Sequence, residues 1–221
     1  MKFSVAYAAA FLTLLAGFAN AAVISHLLPR APNLQSYLGA PRRFYRAVYK
    51  DEITAVGTRY VKDKSPADHK TNSGDFSPAP TGGLYVFNNP DEAMTWGDCY
   101  TRGTQFESKG YYLAVFEYTP NPSLKTHTFV NGDAAWLKFV NDNYKSGTKA
   151  SGFDIVEGPI SATGERRAQV LYEREGASIW QGAFITPAAL KTLKIAELIP
   201  VRVDKKRPNN LRRCCTNCII M

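Results

Sequence analysis

Histidine and cysteine are scarce in this chain of 221 residues, which contains three of the former and four of the latter. His26, His69 and His127 lie far apart and show no metal-ligand spacing to one another or to a cysteine, which argues against a zinc or iron site. The sequence also has no Gly-x-x-x-x-Gly-Lys phosphate loop. We therefore expect neither a bound metal nor the chemistry of a nucleoside triphosphatase.

Long apolar runs are missing beyond the first 22 residues. There, Lys2 precedes the apolar residues 5–18, and Ala19-Asn20-Ala21 supplies small residues at a cleavage site, a pattern typical of a secretory signal peptide. The run is shorter than the roughly 20 residues of a transmembrane helix. We expect residues 1–21 to be removed and the chain to be secreted to the extracellular space, with no stable membrane association.

Basic residues are in excess but unevenly spread. The formal net charge is +8, from 27 Lys and Arg against 19 Asp and Glu. The last 17 residues hold five of the basic ones: Lys205, Lys206, Arg207, Arg212 and Arg213. Such a concentration is typical of a solvated tail and does not indicate a nucleic-acid-binding surface. The predicted organisation is an irregular lead-in over 22–43, one monomeric domain over 44–203 and a basic tail over 204–221.

Three of the four cysteines, Cys214, Cys215 and Cys218, crowd the C-terminus. In an oxidising compartment one of them is expected to form a disulfide with Cys99, although the spacing leaves the pairing open and a free, buried Cys99 is the alternative. The final Cys218-Ile219-Ile220-Met221 also matches a prenylation box. Prenylation is cytosolic and conflicts with export, for which the signal peptide is the stronger indication.

The secondary-structure pattern predicts an α+β protein. Strands are expected over 44–49, 84–87, 111–118, 153–160, 168–172, 178–185 and 195–203. Short helices are expected over 51–57, 89–96, 134–144 and 187–193. A polar loop over 58–83 separates the first two strands. Strands outnumber helices and do not alternate regularly with them, which favours α+β over α/β.

Several short stretches resemble one enzyme superfamily. They are Phe44-Tyr45-Arg46-Ala47, Asp75-Phe76, Gly82-Gly83-Leu84-Tyr85-Val86, Trp136-Leu137-Lys138-Phe139-Val140 and Phe153-Asp154-Ile155-Val156-Glu157-Gly158-Pro159. In order and type they are similar to the ADP-ribosyltransferase-like superfamily, with an opening of the enterotoxin type and motifs of a poorly characterised branch. The resemblance covers roughly residues 44–198 and implies a split β-sheet core with short helices.

The resemblance implies NAD as substrate and assigns residues to hold it. Arg46 on the first core strand would clamp the pyrophosphate, since a guanidinium forms bidentate contacts with phosphate. Gly82 and Gly83 would let the backbone approach the ligand, and Tyr85 would stack on the nicotinamide. The alternative is an arginine at a strand edge and a turn followed by a core tyrosine.

The catalytic carboxylate has two candidate locations. Glu173 and Glu175 have the Glu-x-Glu spacing of arginine-modifying transferases, and in an extended segment both side chains would point to one side. Gln181 instead matches the glutamine of the poorly characterised branch, and an amide carries no charge to oppose an oxocarbenium ion. Alternatively, the two glutamates flank a hairpin tip at Gly176.

Together these observations predict a secreted mono-ADP-ribosyltransferase of the toxin or effector type, which uses NAD to modify a protein target. The first alternative is a catalytically inactive NAD- or protein-binding module on the same fold. The second is a lipid-anchored interaction protein that uses the C-terminal cysteines. The sequence leaves open the acceptor residue, the identity of the target and whether catalysis is retained.

Overall fold

The computed structural model describes residues 36–48, 74–78, 82–101, 107–163, 169–174 and 176–204. All of these belong to the unit Asn33–Met221. The predicted signal peptide, the helix over 51–57, most of the polar loop and the tail cysteines lie outside the described residues.

Eleven strands occur in the described part of the chain. In order they are β1 (Arg42–Val48), β2 (Leu84–Phe87), β3 (Tyr111–Tyr118), β4 (Thr126–Thr128), β5 (Ile155–Pro159), β6 (Ser161–Thr163), β7 (Gln169–Leu171), β8 (Glu173–Arg174), β9 (Ala177–Ser178), β10 (Trp180–Phe184) and β11 (Leu193–Val201). Seven of them form one sheet in the order β11-β3-β1-β2-β10-β5-β4, while β6-β7 and β8-β9 form separate two-stranded ladders. The seven-stranded sheet is antiparallel except between β4 and β5.

The helices in this described part are short: α1 (Pro90–Thr101), α2 (Ala134–Ser146) and α3 (Pro187–Leu190), with one 3₁₀ turn, Lys149–Gly152. At the start of α2 the Asp133 side chain accepts a hydrogen bond from the Trp136 amide at 2.9 Å, which satisfies a backbone donor that the helix leaves unpaired. Gly147 ends the helix with φ = 66°, a conformation that glycine adopts without steric cost.

The two faces of the sheet bury different groups. The face that carries Phe44, Trp180 and Phe184 is called the first face. The rings of these three residues pack together and against α3. The second face is covered by the longer helices: Val156 and Ala183 pack with α2, and Phe87 and Leu113 pack with α1. Because side chains alternate along a strand, neighbouring residues of β10 serve opposite faces.

The predicted α+β class is confirmed, with a mostly antiparallel sheet and few, short helices. Strands β2 and β3 have the predicted bounds, and α2 begins where expected and extends two residues further. The strand predicted over 153–160 is shorter, because Asp154 and Ile160 fall outside β5 and a separate strand begins at Ser161.

Candidate functional site

Asp75 is a buried acid on the second face of the sheet. It retains 5% exposure and belongs to the short described segment 74–78, which we call the Asp75 loop. Its Oδ2 accepts hydrogen bonds from the Ser161 amide at 2.7 Å and from Gln181 Nε2 at 2.6 Å. Its Oδ1 lies 2.6 Å from Ser161 Oγ, and the Tyr144 side chain also hydrogen-bonds to the carboxyl group. The acid therefore joins a loop, two strands and a helix.

Burial raises the pKa of Asp75, although the hydrogen bonds from Ser161, Gln181 and Tyr144 oppose that shift. The geometry agrees with a proton on this group. Ser161 Oγ lies between Asp75 Oδ1 and Gln169 Oε1, which is 2.9 Å away, and a hydroxyl has a single proton to donate. If that proton goes to Gln169, a protonated Asp75 supplies the second hydrogen bond.

Gln181 is the second residue of β10, the strand that lies between β2 and β5. Its register partners are Phe87 and Gly158, and the side chain is 4% exposed. Alternation along β10 puts this side chain on the second face, because Trp180 before it packs on the first face. The resemblance had suggested Gln181 for the ribose-side position, and the structure gives it an acid as its immediate neighbour.

Tyr85 belongs to the same group of residues. Its ring packs on the second face, and its hydroxyl accepts from the Phe76 amide at 2.9 Å and donates to Ser77 Oγ at 2.9 Å. Burial and the nearby Asp75 charge raise the pKa of Tyr85. The hydroxyl thus holds the Asp75 loop, while the half-buried ring packs against the apolar cluster that α2 covers.

Asn143 fixes the Asp75 loop from the α2 side. Its Nδ2 donates to the Gly74 and Ser77 carbonyls at 2.8 and 2.9 Å, and its Oδ1 accepts from the Ala150 amide at 3.2 Å. Asn143 is fully buried, so these bonds replace the water that its amide loses. The position of Asp75 is consequently defined by contacts at both ends of its loop.

Arg46 approaches this group through the backbone of β2. Its Nη1 donates to the Tyr85 carbonyl at 3.1 Å. Alternation along β1 puts Arg46 on the first face together with Phe44 and Val48, whereas the Tyr85 ring is on the second face. The structure therefore brings Tyr85 and Gln181 to one face and Arg46 to the other side of the same strands.

Gly82 and Gly83 lead from the Asp75 loop into β2. Gly82 has φ = 62°, a left-handed conformation that favours glycine, and its amide donates to the Pro78 carbonyl at 2.7 Å. A Cβ on Gly83 would lie 3.0 Å from Ser77 Cβ. Gly82 thus lies against Pro78, and Gly83 leaves room for Ser77 where β2 begins.

Glu173 lies on a separate two-stranded hairpin and makes none of the hydrogen bonds described above. It is exposed and pairs with Ser178 across the β8-β9 ladder, and Gly176 at the turn has φ = 78°. The next residue of the hairpin, Arg174, forms a 2.5 Å ion pair with Glu92 of α1. Glu175 lies outside the described residues. In the sequence analysis, the alternative to a catalytic role for Glu173 was a position beside a hairpin tip at Gly176, and the structure has this hairpin.

A second buried acid, Glu157, was not identified from the sequence. It is fully buried on the first face and accepts four hydrogen bonds: from Ser36 Oγ, the Tyr37 amide, Thr128 Oγ1 and Trp180 Nε1. Four donors match the acceptor capacity of a carboxylate. Its position between a Val and a Gly in the apolar stretch 155–160 was the available signal, since an acid inside such a stretch requires buried partners.

Other features of the described chain add no further site. Cys99 is buried beside Trp96 and Tyr172, and its pairing with a tail cysteine stays a prediction. Among the described residues no group of three or more His, Cys, Asp or Glu side chains could hold a metal ion. No helix in the same residues is long and apolar enough to span a membrane.

Comparison with known proteins adds no relative to this picture. No protein-family model, no curated protein and no solved structure matches the chain.

Proposed function

We propose that this chain is a secreted ADP-ribosyltransferase-like protein that binds NAD and transfers ADP-ribose to a protein target. The observation that carries the proposal is the position of three residues on neighbouring central strands. Arg46, Tyr85 and Gln181 lie on β1, β2 and β10, which are adjacent in that order, and the Arg46 guanidinium bonds to the Tyr85 carbonyl. The family resemblance associates all three residues with NAD. Tyr85 and Gln181 share the second face of the sheet, and Arg46 lies on the first face and reaches β2 through its backbone.

The chemistry requires a polar group beside the ribose of NAD. Cleavage of the nicotinamide–ribose bond develops positive charge on the sugar, and a preorganised acceptor or negative charge close to it stabilises the transition state. Gln181 supplies an acceptor, and the acid nearest to it is Asp75, 2.6 Å from its amide nitrogen. Glu173 lies on the separate β8-β9 ladder, which favours Gln181 over Glu173 for the ribose-side position.

The experiment incubates the purified chain with labelled NAD and a cell extract, and measures both labelled protein and free nicotinamide. The variants are Gln181→Ala, Glu175→Gln and, as the exposed control, Glu173→Gln. We expect wild type and Glu173→Gln to label protein equally and Gln181→Ala to lose about 10²–10³-fold in rate, the usual effect of removing one preorganised contact. An equal loss of rate in Glu175→Gln would indicate that the hairpin glutamates, and not Gln181, have the catalytic role.

A second candidate, a catalytically inactive NAD-binding module, is favoured by the amide at position 181. An amide offers no net charge, and the neighbouring Asp75 is buried with a raised pKa. Under this alternative, calorimetry detects NAD binding by wild type. Neither the wild type nor any of the variants releases nicotinamide. Absence of NAD binding by wild type would reject both candidates.

Export is tested separately from chemistry. Mass spectrometry of the culture supernatant should find a chain that begins at Ala22. Intracellular protein that retains Met1 and carries a prenyl group on Cys218 would instead support the lipid-anchored alternative.

A further inference from the structure

We propose that Asp75 is a positioning residue that fixes the side-chain amide of Gln181 with its nitrogen inward and its oxygen directed to the ligand. This inference rests on the proposed NAD site and identifies what prepares its ribose-side residue. The two residues are 106 positions apart in sequence and 2.6 Å apart in the structure.

The orientation of the amide follows from the hydrogen bonds of Asp75. Oδ2 accepts from the Ser161 backbone N–H at 2.7 Å, and a backbone N–H can only donate. Oδ2 is therefore an acceptor whether or not the acid carries a proton on Oδ1. With any proton of Asp75 on Oδ1, which faces Ser161 Oγ, Oδ2 has none to donate. The Gln181 atom that lies 2.6 Å from Oδ2 is then the donor, the amide nitrogen.

The amide oxygen of Gln181 remains for a ligand. No described residue donates a hydrogen bond to Gln181 Oε1, and this oxygen is not among the fully buried polar atoms without a partner in the described chain. A buried acceptor without a partner costs free energy, and Gln181 as a whole retains 4% exposure. A ribose hydroxyl is a donor, and Oε1 offers it the acceptor that a carboxylate would otherwise supply.

The same geometry changes what a carboxylate at position 181 can do. In Gln181→Glu, a carboxyl oxygen would lie close to Asp75 Oδ2, and two carboxyl groups at that distance must share a proton. The inward oxygen of the variant would hold that proton and mimic the amide nitrogen. Gln181→Glu should therefore keep NAD affinity under acidic conditions and lose it as the pH rises and the shared proton is released.

The test compares Asp75→Asn with Asp75→Ala in the full chain. In Asp75→Asn the side-chain oxygen can take the place of Oδ2 and accept from the Ser161 backbone amide and from Gln181. The side-chain nitrogen then faces Ser161 Oγ, and the orientation of Gln181 is retained. We expect the dissociation constant for NAD to stay within about threefold of wild type for Asp75→Asn, and to rise at least about tenfold for Asp75→Ala and Gln181→Ala, as for the loss of one hydrogen bond. Thr128→Val, which removes a bond to Glu157 on the first face, is the control for general destabilisation and should bind as wild type.

Nuclear magnetic resonance gives a readout that does not require NAD. In wild type and in Asp75→Asn, a side-chain amide proton of Gln181 should exchange slowly with solvent, and in Asp75→Ala this protection should be lost. Wild-type affinity in a folded Asp75→Ala, or rapid exchange of the Gln181 amide in wild type, overturns the positioning role. If wild type fails to bind NAD while its Gln181 amide is protected, the proposed function and the ligand part of this inference are both rejected, and the Asp75–Gln181 contact is structural.

Discussion

Trp180 donates a hydrogen bond from Nε1 to Oε2 of Glu157 at 3.0 Å, across the neighbouring strands β10 and β5. The same carboxylate oxygen accepts from the Tyr37 amide at 2.9 Å, and the Tyr37 and Trp180 rings lie 5.0 Å apart. Glu157 therefore holds the segment before β1 against the first face of the sheet, while Asp75 holds its loop against the second face.

Glu157→Gln should lower the free energy of unfolding by about 2–4 kcal/mol, the range expected when buried donors lose a charged acceptor. With the glutamine oxygen in the place of Oε2, its nitrogen must donate to the Ser36 and Thr128 hydroxyls, which then turn their own protons elsewhere. The Tyr37 amide and Trp180 Nε1 keep an acceptor, but a neutral one. Urea denaturation followed by tryptophan fluorescence measures the loss. The exposed Glu173→Gln is the matched control and should change stability by less than about 0.5 kcal/mol. Equal stabilities would show that the Glu157 hydrogen bonds make no net contribution.

Arg46→Ala should weaken NAD binding by at least about tenfold, which corresponds to the loss of a charge-assisted hydrogen bond to phosphate. Loss of the 3.1 Å bond to the Tyr85 carbonyl should cost about 0.5–1.5 kcal/mol of stability as well. Titration calorimetry and thermal melts separate the two effects. Arg46→Lys retains the charge without the planar guanidinium and should recover part of the affinity. A large fall in melting temperature with unchanged affinity would identify a structural arginine.

Local sequence patterns predicted the longer elements of the fold, although the helix expected over 187–193 ends at Leu190 and Leu193 begins β11. The alternating residues of β3 and the helical spacing of Trp136 and Val140 in α2 indicated their structures because each buries one side against the core. The three-residue β4 was missed, since Thr126–Thr128 lies between turns and is extended mainly through its parallel pairing with β5. Such pairing depends on tertiary contacts that a local pattern does not contain.

The candidate site was predicted as single residues and not as a network. The resemblance suggested Gln181 and Tyr85 as site residues. The structure adds the partner of Gln181, Asp75, which the sequence offered only as half of an Asp-Phe motif. The Asp75 loop and β10 are far apart in sequence, so their contact depends on the tertiary fold and not on a local pattern. Glu173 shows the converse: its spacing to Glu175 is a local feature, and its location on the exposed hairpin is set by the turn at Gly176.

Arg174→Ala should loosen the β8-β9 hairpin without unfolding the domain. The variant removes the ion pair to Glu92 and the 3.3 Å bond to Thr95 Oγ1, which are the described side-chain contacts of Arg174 with α1. A partly exposed ion pair contributes about 1 kcal/mol or less. Hydrogen exchange should therefore speed up at the β8 and β9 amides and stay unchanged in β3 and β10. Faster exchange throughout the sheet would mean that the hairpin supports the whole fold.

The stability of the protein should depend on pH through Asp75 in a defined direction. Burial raises the pKa of this acid above its ordinary value of 3.8, so between the two values the unfolded chain has lost the proton that the folded chain still binds. Unfolding then releases a proton, and stability falls as the pH rises from about 4 through the folded pKa. The neighbouring Tyr85 does not contribute in this range, because its own pKa is raised above that of an ordinary tyrosine.

Asp75→Asn isolates this effect, since it keeps the shape of the side chain and removes its titration. Urea denaturation of wild type and Asp75→Asn at a series of pH values from about 3 to 8 gives two stability curves. Because wild type alone must either retain the proton or bury a charge, its free energy of unfolding should decline relative to that of Asp75→Asn as the pH rises, by about 1.4 kcal/mol for each unit by which folding raises the pKa. A difference that stays constant with pH would show that the pKa of Asp75 is the same in the folded and unfolded chain. A difference that changes in the opposite direction would mean that the hydrogen bonds from Ser161, Gln181 and Tyr144 outweigh burial and hold Asp75 ionised in the folded protein.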